Sequence, residues 1–171
     1  MYKINKHLQL KIKKDIFFIE FKTKIKSKYF IDKIEEGIQH SSNLNYQTNV
    51  VGGMTAWNYF SKDTELLLLL KMCTNYVDTK IDLVKNKLNE AWGIRTGFNE
   101  YTKRHSHDGS VISGILYLSD SNQKTYFPEI EEEIKPTSGK VVLFSSILDH
   151  YTKPSLEAKP KYALPFNYIA I

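Results

Sequence analysis

Along the first part of the chain, apolar residues recur every three or four positions, the spacing that places them on one face of a helix. Within Lys28–His40 these apolar positions are Tyr29, Phe30, Ile34 and Ile38. Ser27 stands where an N-cap is expected. The pattern therefore predicts an amphipathic helix over Lys28–His40, followed by a polar, turn-like segment at Ser41–Asn49.

A second helical segment contains the longest apolar run of the sequence, the five leucines of Leu66–Leu70. Either Ser61 or Asp63 is a suitable N-cap, because both side chains accept hydrogen bonds from the first helical amides. The predicted helix ends near Asp78. Five apolar residues are far too few to cross a membrane, so we expect no membrane partner.

From about Leu88 the pattern changes to short apolar and β-branched runs separated by turn signals. The predicted strands are Val111–Leu118, Thr125–Phe127, Lys140–Phe144 and Tyr162–Ile171, with one or two more at residues 8–25. Pro165 lacks an amide N–H, so we expect an edge strand or a bulge there. Helices followed by short strands predict an α+β, mainly β fold, with N-terminal helices packed on a jelly roll.

The chain has 171 residues and one cysteine. This length predicts a single domain over 1–171 with a core that needs no disulfide. Within it we expect helical and strand support at about 1–90 and the jelly-roll core at about 91–171. Cys73 lies in the apolar helix and is expected to be buried. No secretory signal is visible, so the expected location is cytoplasmic.

The net charge of +5 is unevenly distributed. Residues 1–28 hold nine lysines against Asp15 and Glu20, a local charge of +7, which leaves −2 for the remainder. Phe17, Ile19 and Phe21 alternate through this segment, a pattern typical of a strand. Lysines along an exposed strand prevent edge-to-edge pairing, so a lysine-protected edge strand explains the charge. The distribution argues against a nucleic-acid partner.

Two histidines form a candidate metal-binding pair. His105 and His107 are separated by one residue, and side chains at i and i+2 of an extended backbone project from one face, about 7 Å apart. Two imidazoles in this arrangement can hold one ion. Asp108, in the turn that follows, is an alternative oxygen ligand.

A third histidine stands far along the chain. His150 follows the strong strand Lys140–Phe144 and the loop after it. Two ligands close together and a third distant in sequence is the layout of a facial triad, which leaves three positions of the ion open and suits Fe(II). Taken alone, an H-x-H pair is weak evidence, because histidine pairs occur on many surfaces.

The segment Trp92–Asn167 resembles the 2-oxoglutarate/Fe(II) oxygenases, in particular their phage and marine-bacterial branch related to prolyl 4-hydroxylases. The order and spacing of its motifs carry this resemblance, together with Thr48–Thr55 upstream. In chain order the motifs are Trp92, Tyr101, His105-Ser106-His107, Ser113-Gly114-Ile115-Leu116-Tyr117-Leu118, Lys135-Pro136-Thr137-Ser138-Gly139-Lys140-Val141-Val142-Leu143-Phe144-Ser145-Ser146, His150, Pro154 and Phe166-Asn167.

The resemblance implies a double-stranded β-helix with Fe(II) at the mouth of the barrel, 2-oxoglutarate as cosubstrate and ascorbate as reductant. His105 and His150 would be metal ligands and part of the catalytic centre. Most of the wider family uses H-x-D, and His107 occupies the position of that Asp, while Asp108 lies one residue later. We rank His107 above Asp108 as the remaining ligand; sets that pair Asp108 and His150 with either His105 or His107 stay open.

The resemblance also implies a pocket for the cosubstrate. Lys161 stands where the family has an Arg for the distal carboxylate; a lysine supplies charge but no bidentate fork. Tyr117 matches a tyrosine whose hydroxyl reaches the same carboxylate and shares a strand face with Ile115. Tyr101 is a second tyrosine candidate for cosubstrate binding. Asn167 would orient a ligand or the cosubstrate.

The implied activity is hydroxylation of a C–H bond in a peptide, protein or small-molecule substrate. Peptidyl proline follows by family analogy alone. One alternative is a cupin-like dioxygenase that uses three histidines without 2-oxoglutarate. Another is a jelly-roll binding module with no catalysis.

Overall fold

The structure is a computed structural model that describes residues 16–41, 48–78 and 85–171. These residues form two α-helices, α1 (Ser27–Ser41) and α2 (Thr64–Asp78), and a short 3-10 helix at Pro128–Ile130. The strands are β1 (Phe18–Lys22), β2 (Val50–Val51), β3 (Gly53–Met54), β4 (Asn86–Ala91), β5 (Ile94–Thr96), β6 (Tyr101–Thr102), β7 (Ile112–Tyr117), β8 (Thr125–Phe127), β9 (Glu132–Ile134), β10 (Lys140–Ser145), β11 (Tyr151–Thr152) and β12 (Lys161–Ala170).

The strands form a large and a small antiparallel sheet. The seven-stranded sheet has the order β1-β10-β7-β12-β5-β3, and β4 pairs with the C-terminal half of β12. The smaller sheet has the order β11-β8-β9, and β2 pairs with β6 beside them. Two facing sheets with helices on one side form the α+β, mainly β jelly roll that the sequence predicts.

Alternation along β7 divides the large sheet between two hydrophobic layers. Leu116 and Leu118 pack with α1 and α2, whereas Ile115 and Tyr117 face the small sheet. Because successive strand residues point to opposite faces, a largely apolar strand contributes to both layers. We call the layer between the two sheets the inner layer and the layer against the helices the helical layer. The small sheet contributes Phe127 and Ile134 to the inner layer. The predicted inward orientation of Tyr117 with Ile115 is confirmed.

Strand β1 lies at the edge of the large sheet, since within the described residues it pairs with β10 only. Its Phe18 joins the inner layer and its Ile19 the helical layer. Lys22 at its end donates to Thr137 and to the carbonyl of Ser138. The predicted edge strand is confirmed for this segment, while residues 1–15 with most of the lysines lie outside the described part.

Pro165 is in a central strand, so the predicted edge position is wrong. It lies where the partner of β12 changes: β5 pairs as far as Ala163, and β4 begins at Phe166. The backbone irregularity falls two residues later, between Asn167 and Tyr168. A proline is tolerated here because one neighbouring strand ends and the next begins at its position.

The two predicted helices are confirmed, and one of the predicted caps is wrong. Ser27 is the first residue of α1, and its hydroxyl pairs with Ser138 Oγ at 2.7 Å. Asp63 caps α2 as predicted, with its Oδ1 accepting from the Leu66 N–H at 3.0 Å. Neither described helix has the length and apolar character needed to cross a membrane.

Asp63 also joins the two helices. Its Oδ2 accepts from the Tyr29 hydroxyl at 2.8 Å and from Lys33 Nζ at 2.7 Å. Burial on its own would raise the pKa of Asp63, but the hydrogen bonds from Lys33, Leu66 and Tyr29 outweigh it and lower that pKa below its usual value. The ionised carboxylate is therefore stabilised in the folded protein.

Replacing Asp63 by Ala should lower the free energy of unfolding by about 1–2 kcal/mol, the usual loss for an N-cap. Urea denaturation measures this, with Asp32→Ala, which removes an exposed pair with Lys28, as a control expected to change stability far less. Because the folded pKa is lowered, the contribution of Asp63 is present above its unfolded pKa and is lost as the pH falls. Equal stability of both variants at pH 7 would contradict the assignment.

Candidate metal centre

Backbone pairing brings the three histidines together. His105 and His150 form an isolated antiparallel bridge, in which the His150 N–H donates to the His105 carbonyl at 2.9 Å and the reverse bond is 3.2 Å. The His107 N–H donates to the carbonyl of Ser146 at 2.9 Å. One candidate ligand atom from each of the three histidines lies within 4.8 Å of the others. This spacing suits one shared ion.

Two of the rings are oriented by backbone carbonyls. His105 Nδ1 lies 2.8 Å from the carbonyl oxygen of Lys103, and His150 Nδ1 lies 3.1 Å from that of Leu148. A carbonyl only accepts, so in each neutral ring Nδ1 carries the proton and Nε2 keeps a lone pair. A hydrogen bond to the second ring nitrogen is the usual support of a metal-binding histidine.

Asn167 supports the third ring. Its amide Nδ2 lies 3.3 Å from His107 Nδ1 and 3.2 Å from a Glu90 oxygen, while its Oδ1 accepts from the Ser113 hydroxyl at 2.8 Å. Coordination through His107 Nε2 requires that Nδ1 carry the proton. The amide oxygen of Asn167 must then face Nδ1 in order to accept that hydrogen bond. With its oxygen turned toward His107, the amide would accept from Nδ1–H and would lose its bond to Glu90, because a carboxylate oxygen pairs only with the amide nitrogen. Asn167 therefore touches the histidine cluster directly.

The three imidazoles are neutral at pH 7. Burial lowers the pKa of His105, and burial followed by repulsion from His105 lowers the pKa of His107 to about 4. The pKa of His150 is lowered well below its ordinary value by burial and then by the two other rings. Neutral rings have the free lone pairs that a metal ion needs.

At the surface, a salt bridge joins the segment that contains His105 to the segment that contains His150. Arg104, next to His105, contacts Asp149 at 2.7 Å and Glu129 at 2.8 Å. Asp108 is exposed, outside the histidine cluster, and 3.5 Å from the Ser106 hydroxyl. Among the described residues, the cluster thus consists of imidazoles without a carboxylate.

A cavity extends from the three histidines into the inner layer, and we call it the histidine cavity. Lys161 and Tyr117 also line it. The Lys161 side chain is buried, with 2% of the residue exposed, and has no hydrogen bond or ion pair within the described residues. Burial lowers the pKa of Lys161 to about 7, a shift that nearby Glu157 opposes. A buried ammonium without a partner is unfavourable on its own, and a counter-ion would stabilise it.

Tyr117 supplies a neutral hydroxyl in the same cavity. The hydroxyl donates to Thr125 Oγ1 at 2.8 Å. Burial raises the pKa of Tyr117, a shift that the hydrogen bond to Thr125 opposes only in part. The register of β7 and β12 places Tyr117 opposite Ala163, two residues from Lys161. Lys161 and Tyr117 can therefore face the same ligand.

Tyr101 is not among the residues that line the histidine cavity. It pairs with Val51 between β6 and β2, and the neighbouring Thr102 lines the histidine cavity instead. The Thr102 N–H donates to the hydroxyl of Thr152, which also lines the cavity. Sequence reasoning missed both threonines, because a strand of two residues has too little alternation to show which side faces inward. Their polar atoms add to the cavity wall.

Trp92, the first motif of the resemblance in chain order, also lines the cavity. Its ring lies 6.0 Å from that of His107 and 4.8 Å from that of Trp57, both edge to face. The indole Nε1 is buried and has no hydrogen-bond partner in the described part of the chain. Such an atom destabilises the unliganded protein, by about 1–3 kcal/mol in typical cases.

No protein-family model matches the sequence, and no curated protein matches it. Several solved structures are similar. A viral collagen prolyl hydroxylase from Paramecium Bursaria Chlorella virus-1, in its 2OG complex, is 17% identical with a TM-score of 0.64, over 85% of this chain and 90% of that one. A non-heme alpha ketoglutarate dependent carbocyclase, SnoK from nogalamycin biosynthesis, is 10% identical with a TM-score of 0.68, over 90% and 79%.

A third similar structure is a prolyl hydroxylase from Trichoplax adhaerens in complex with a hypoxia inducible factor peptide fragment. It is 17% identical with a TM-score of 0.57, over 84% of this chain and 77% of that one. At these identities the likeness concerns the fold. The chain therefore has the jelly-roll fold of the 2-oxoglutarate/Fe(II) oxygenases.

We expect the protein to bind one divalent ion, and His150→Ala to weaken binding more than roughly 100-fold, because it removes a direct ligand. Asn167→Ala should weaken it roughly 10-fold through loss of ring orientation. Calorimetric titration with Mn(II) under identical buffer conditions measures both. His40→Ala, which removes an exposed histidine of α1, should bind like the wild type. Similar affinities for the His40 and His150 variants would rule out this centre.

Proposed function

We propose that the protein is an Fe(II)- and 2-oxoglutarate-dependent oxygenase that hydroxylates a C–H bond of its substrate. The observation that carries this proposal is one cavity that holds both required features. Three neutral histidines at one position can bind the ion, and a buried, unpaired lysine in the same wall can bind a carboxylate. The fold shared with oxygenases supports the proposal but does not by itself imply the activity.

The ligand set suits the ion. His105, His107 and His150 would hold Fe(II), and imidazole is a ligand that iron accepts. Three protein ligands leave room for a chelating cosubstrate and for O₂, as the open positions of a facial triad do. When bound, Fe(II) supplies the oxygen chemistry that no side chain can perform.

The other end of the cavity suits the cosubstrate. The distal carboxylate of 2-oxoglutarate would pair with the Lys161 ammonium and accept a hydrogen bond from the Tyr117 hydroxyl, which would turn away from Thr125 Oγ1 to make it. Lys161 has no competing partner among the described residues. Binding of the carboxylate would therefore supply the counter-charge that the buried ammonium lacks. A single lysine attracts the carboxylate as a point charge and fixes its orientation less than an arginine fork would.

The apolar wall would keep water away from the reacting groups. Ile94, Ile115, Phe144, Ala163 and Pro165 all line the histidine cavity. Apolar surroundings strengthen the electrostatic contacts of a bound dianion and exclude side reactions with water. The contribution of these residues is to position the cosubstrate in a dry pocket.

A peptide with a prolyl residue is the substrate we propose, by analogy. Two of the similar structures are prolyl hydroxylases, one of them with a bound peptide fragment. The carbocyclase on the same fold shows that the fold tolerates other reactions. A three-histidine dioxygenase that uses no 2-oxoglutarate is the second candidate, because the cluster contains no carboxylate within the described residues.

Anaerobic titration of the Fe(II)-loaded protein with 2-oxoglutarate tests the proposal. We expect a visible charge-transfer absorption that saturates with the cosubstrate, and slow formation of succinate once O₂ is admitted. Retention of Fe(II) without any 2-oxoglutarate binding would favour the second candidate. If the protein retains none of Fe(II), Mn(II) and Co(II), the remaining candidate is a jelly-roll binding module with no catalysis.

Lys161→Met should weaken 2-oxoglutarate binding roughly 10- to 100-fold, the usual range for a lost charged hydrogen bond, without loss of the ion. Lys159→Ala, an exposed lysine two residues away, is the matched control and should bind normally. Calorimetric titration of Co(II)-loaded variants with 2-oxoglutarate measures both affinities. Unchanged binding in the Lys161 variant would place the distal carboxylate elsewhere.

The affinity for 2-oxoglutarate should also depend on pH. The pKa of Lys161 in the free protein is about 7, and a bound carboxylate would raise it. Binding is therefore strongest below pH 7 and falls as the pH rises through and above that value. Lys161→Arg keeps its charge throughout this range and should give a nearly flat profile, which the same titration at pH 6–9 would measure. A flat profile in the wild type would contradict the role of Lys161.

A further inference from the structure

A carboxylate behind the histidine cluster fixes the orientation of the Asn167 amide. Glu90 on β4 is paired with Asn167 on β12, and its half-buried side chain accepts from Asn167 Nδ2 at 3.2 Å. A carboxylate only accepts hydrogen bonds, so the amide atom that faces it must be the nitrogen. The Ser113 hydroxyl, which donates to Asn167 Oδ1 at 2.8 Å, fits the same orientation.

The orientation of this amide determines which nitrogen of His107 carries the proton. Asn167 Nδ2 has two protons, and besides Glu90 it faces His107 Nδ1 at 3.3 Å. Because an amide nitrogen only donates, Nδ1 must offer its lone pair, and the neutral ring then carries its proton on Nε2. Within the described residues Nε2 has no hydrogen-bond partner of its own, so the contact with Asn167 decides the tautomer.

His107 therefore differs from the other two histidines. Nδ1 of His105 and Nδ1 of His150 each face a backbone carbonyl, which leaves a lone pair on Nε2. In His107 the proton occupies Nε2, and a protonated nitrogen cannot bind an ion. Two of the three imidazoles are ready to act as ligands, and the third must first change its tautomer.

The change of tautomer costs one hydrogen bond. The proton moves from Nε2 to Nδ1 of His107, with no net uptake or release of protons. The Asn167 amide must then turn over, so that Oδ1 accepts from Nδ1–H and Nδ2 donates to the Ser113 hydroxyl, which can accept as well as donate. The bond to Glu90 is not replaced, because the amide oxygen would face a carboxylate oxygen.

We propose that Glu90 is a positioning residue that holds His107 in the Nε2–H tautomer through Asn167 and thereby weakens the binding of an ion at the three histidines. Occupation of the centre releases Glu90 from Asn167. The inference deepens the metal-binding part of the proposed function and rests on it. The tautomer itself is a property of the ion-free chain and can be tested without an ion.

The sign of the effect distinguishes this role from simple electrostatic attraction. A carboxylate close to a cation attracts it, so removal of that charge alone would weaken ion binding. We expect the reverse for Glu90→Gln, because the Gln amide can donate to the turned oxygen of Asn167. Its affinity for Mn(II) should rise roughly tenfold, the equivalent of one hydrogen bond. Glu90→Ala, which removes the acceptor, should change the affinity in the same direction.

Asp149→Asn is the matched control. Asp149 is a carboxylate whose charge acts on His105, and its hydrogen-bond partner is Arg104 rather than Asn167. This variant should bind Mn(II) as the wild type does or more weakly. Asn167→Ala cannot replace the Glu90 variants in this test, because it removes the restraint together with the support that the turned amide gives to the ring.

The experiment uses the full chain. Long-range proton–nitrogen NMR spectra of the metal-free protein at pH 7 show which ring nitrogen of each histidine carries the proton, and the spectrum of His107→Gln assigns the His107 signals. We expect Nε2–H for His107 and Nδ1–H for His105 and His150. In Glu90→Gln the His107 signals should shift toward Nδ1–H. Calorimetric titration with Mn(II) measures the affinities of all variants.

Two results would overturn the inference: Nδ1–H at His107 in the metal-free wild type, or Mn(II) binding by Glu90→Gln that is no tighter than that of the wild type. In both cases the wild type still binds Mn(II) and 2-oxoglutarate, so the proposed function survives. Absence of Mn(II) binding by the wild type would instead remove the proposed function together with the effect of Glu90 on ion binding, and the spectra would then decide the tautomer alone.

Discussion

The site depends on one backbone contact, the antiparallel bridge between His105 and His150. Its two hydrogen bonds of 2.9 and 3.2 Å join segments that are far apart in sequence, and both bonded residues carry candidate ligands. The large sheet supplies the frame: β7 and β10 pair along their length, which fixes where the segment that precedes β7 and the segment that follows β10 emerge. Without this contact, His150 would lie on a different segment from the pair His105 and His107, with no backbone bond between the residues of the bridge.

The same architecture explains why a charged side chain can lie deep inside. Strand β12 runs through the centre of the large sheet and carries Lys161 at its start and Asn167 near its end. One strand thereby contributes both an anion-binding group and a support for His107. A buried ammonium without a partner is unfavourable in the free protein, and the pKa of about 7 for Lys161 expresses that cost. A bound carboxylate would remove the cost, which couples ligand binding to the stability of the domain.

Much of this fold follows from local patterns in the sequence. The helices α1 and α2 have clear apolar periodicity, and β7, β10 and β12 are largely apolar because both of their faces are covered. The spacing of His105, His107 and His150 suggested a shared ion only together with the motifs that surround these histidines. Lys161 and Tyr117 could be proposed from the resemblance and do lie in the same cavity.

The features that local patterns missed depend on distant partners. Neighbouring residues such as His107 and Asp108, or Tyr101 and Thr102, point to different sides, and only the tertiary fold determines which side faces the cavity. Pro165 is tolerated in a central strand because β5 ends and β4 begins beside it, which no local pattern reveals.

An anaerobic crystal structure of the Fe(II)-loaded protein, with the ion located by anomalous scattering at the iron edge, would test the three-histidine centre directly. We expect one ion bonded to a nitrogen of His105, His107 and His150, each at about 2.0–2.2 Å, on the side of the histidine cavity that leads to Lys161. An ion bound instead through Asp108 with His107 turned away, or an ion found outside the cavity, would contradict it.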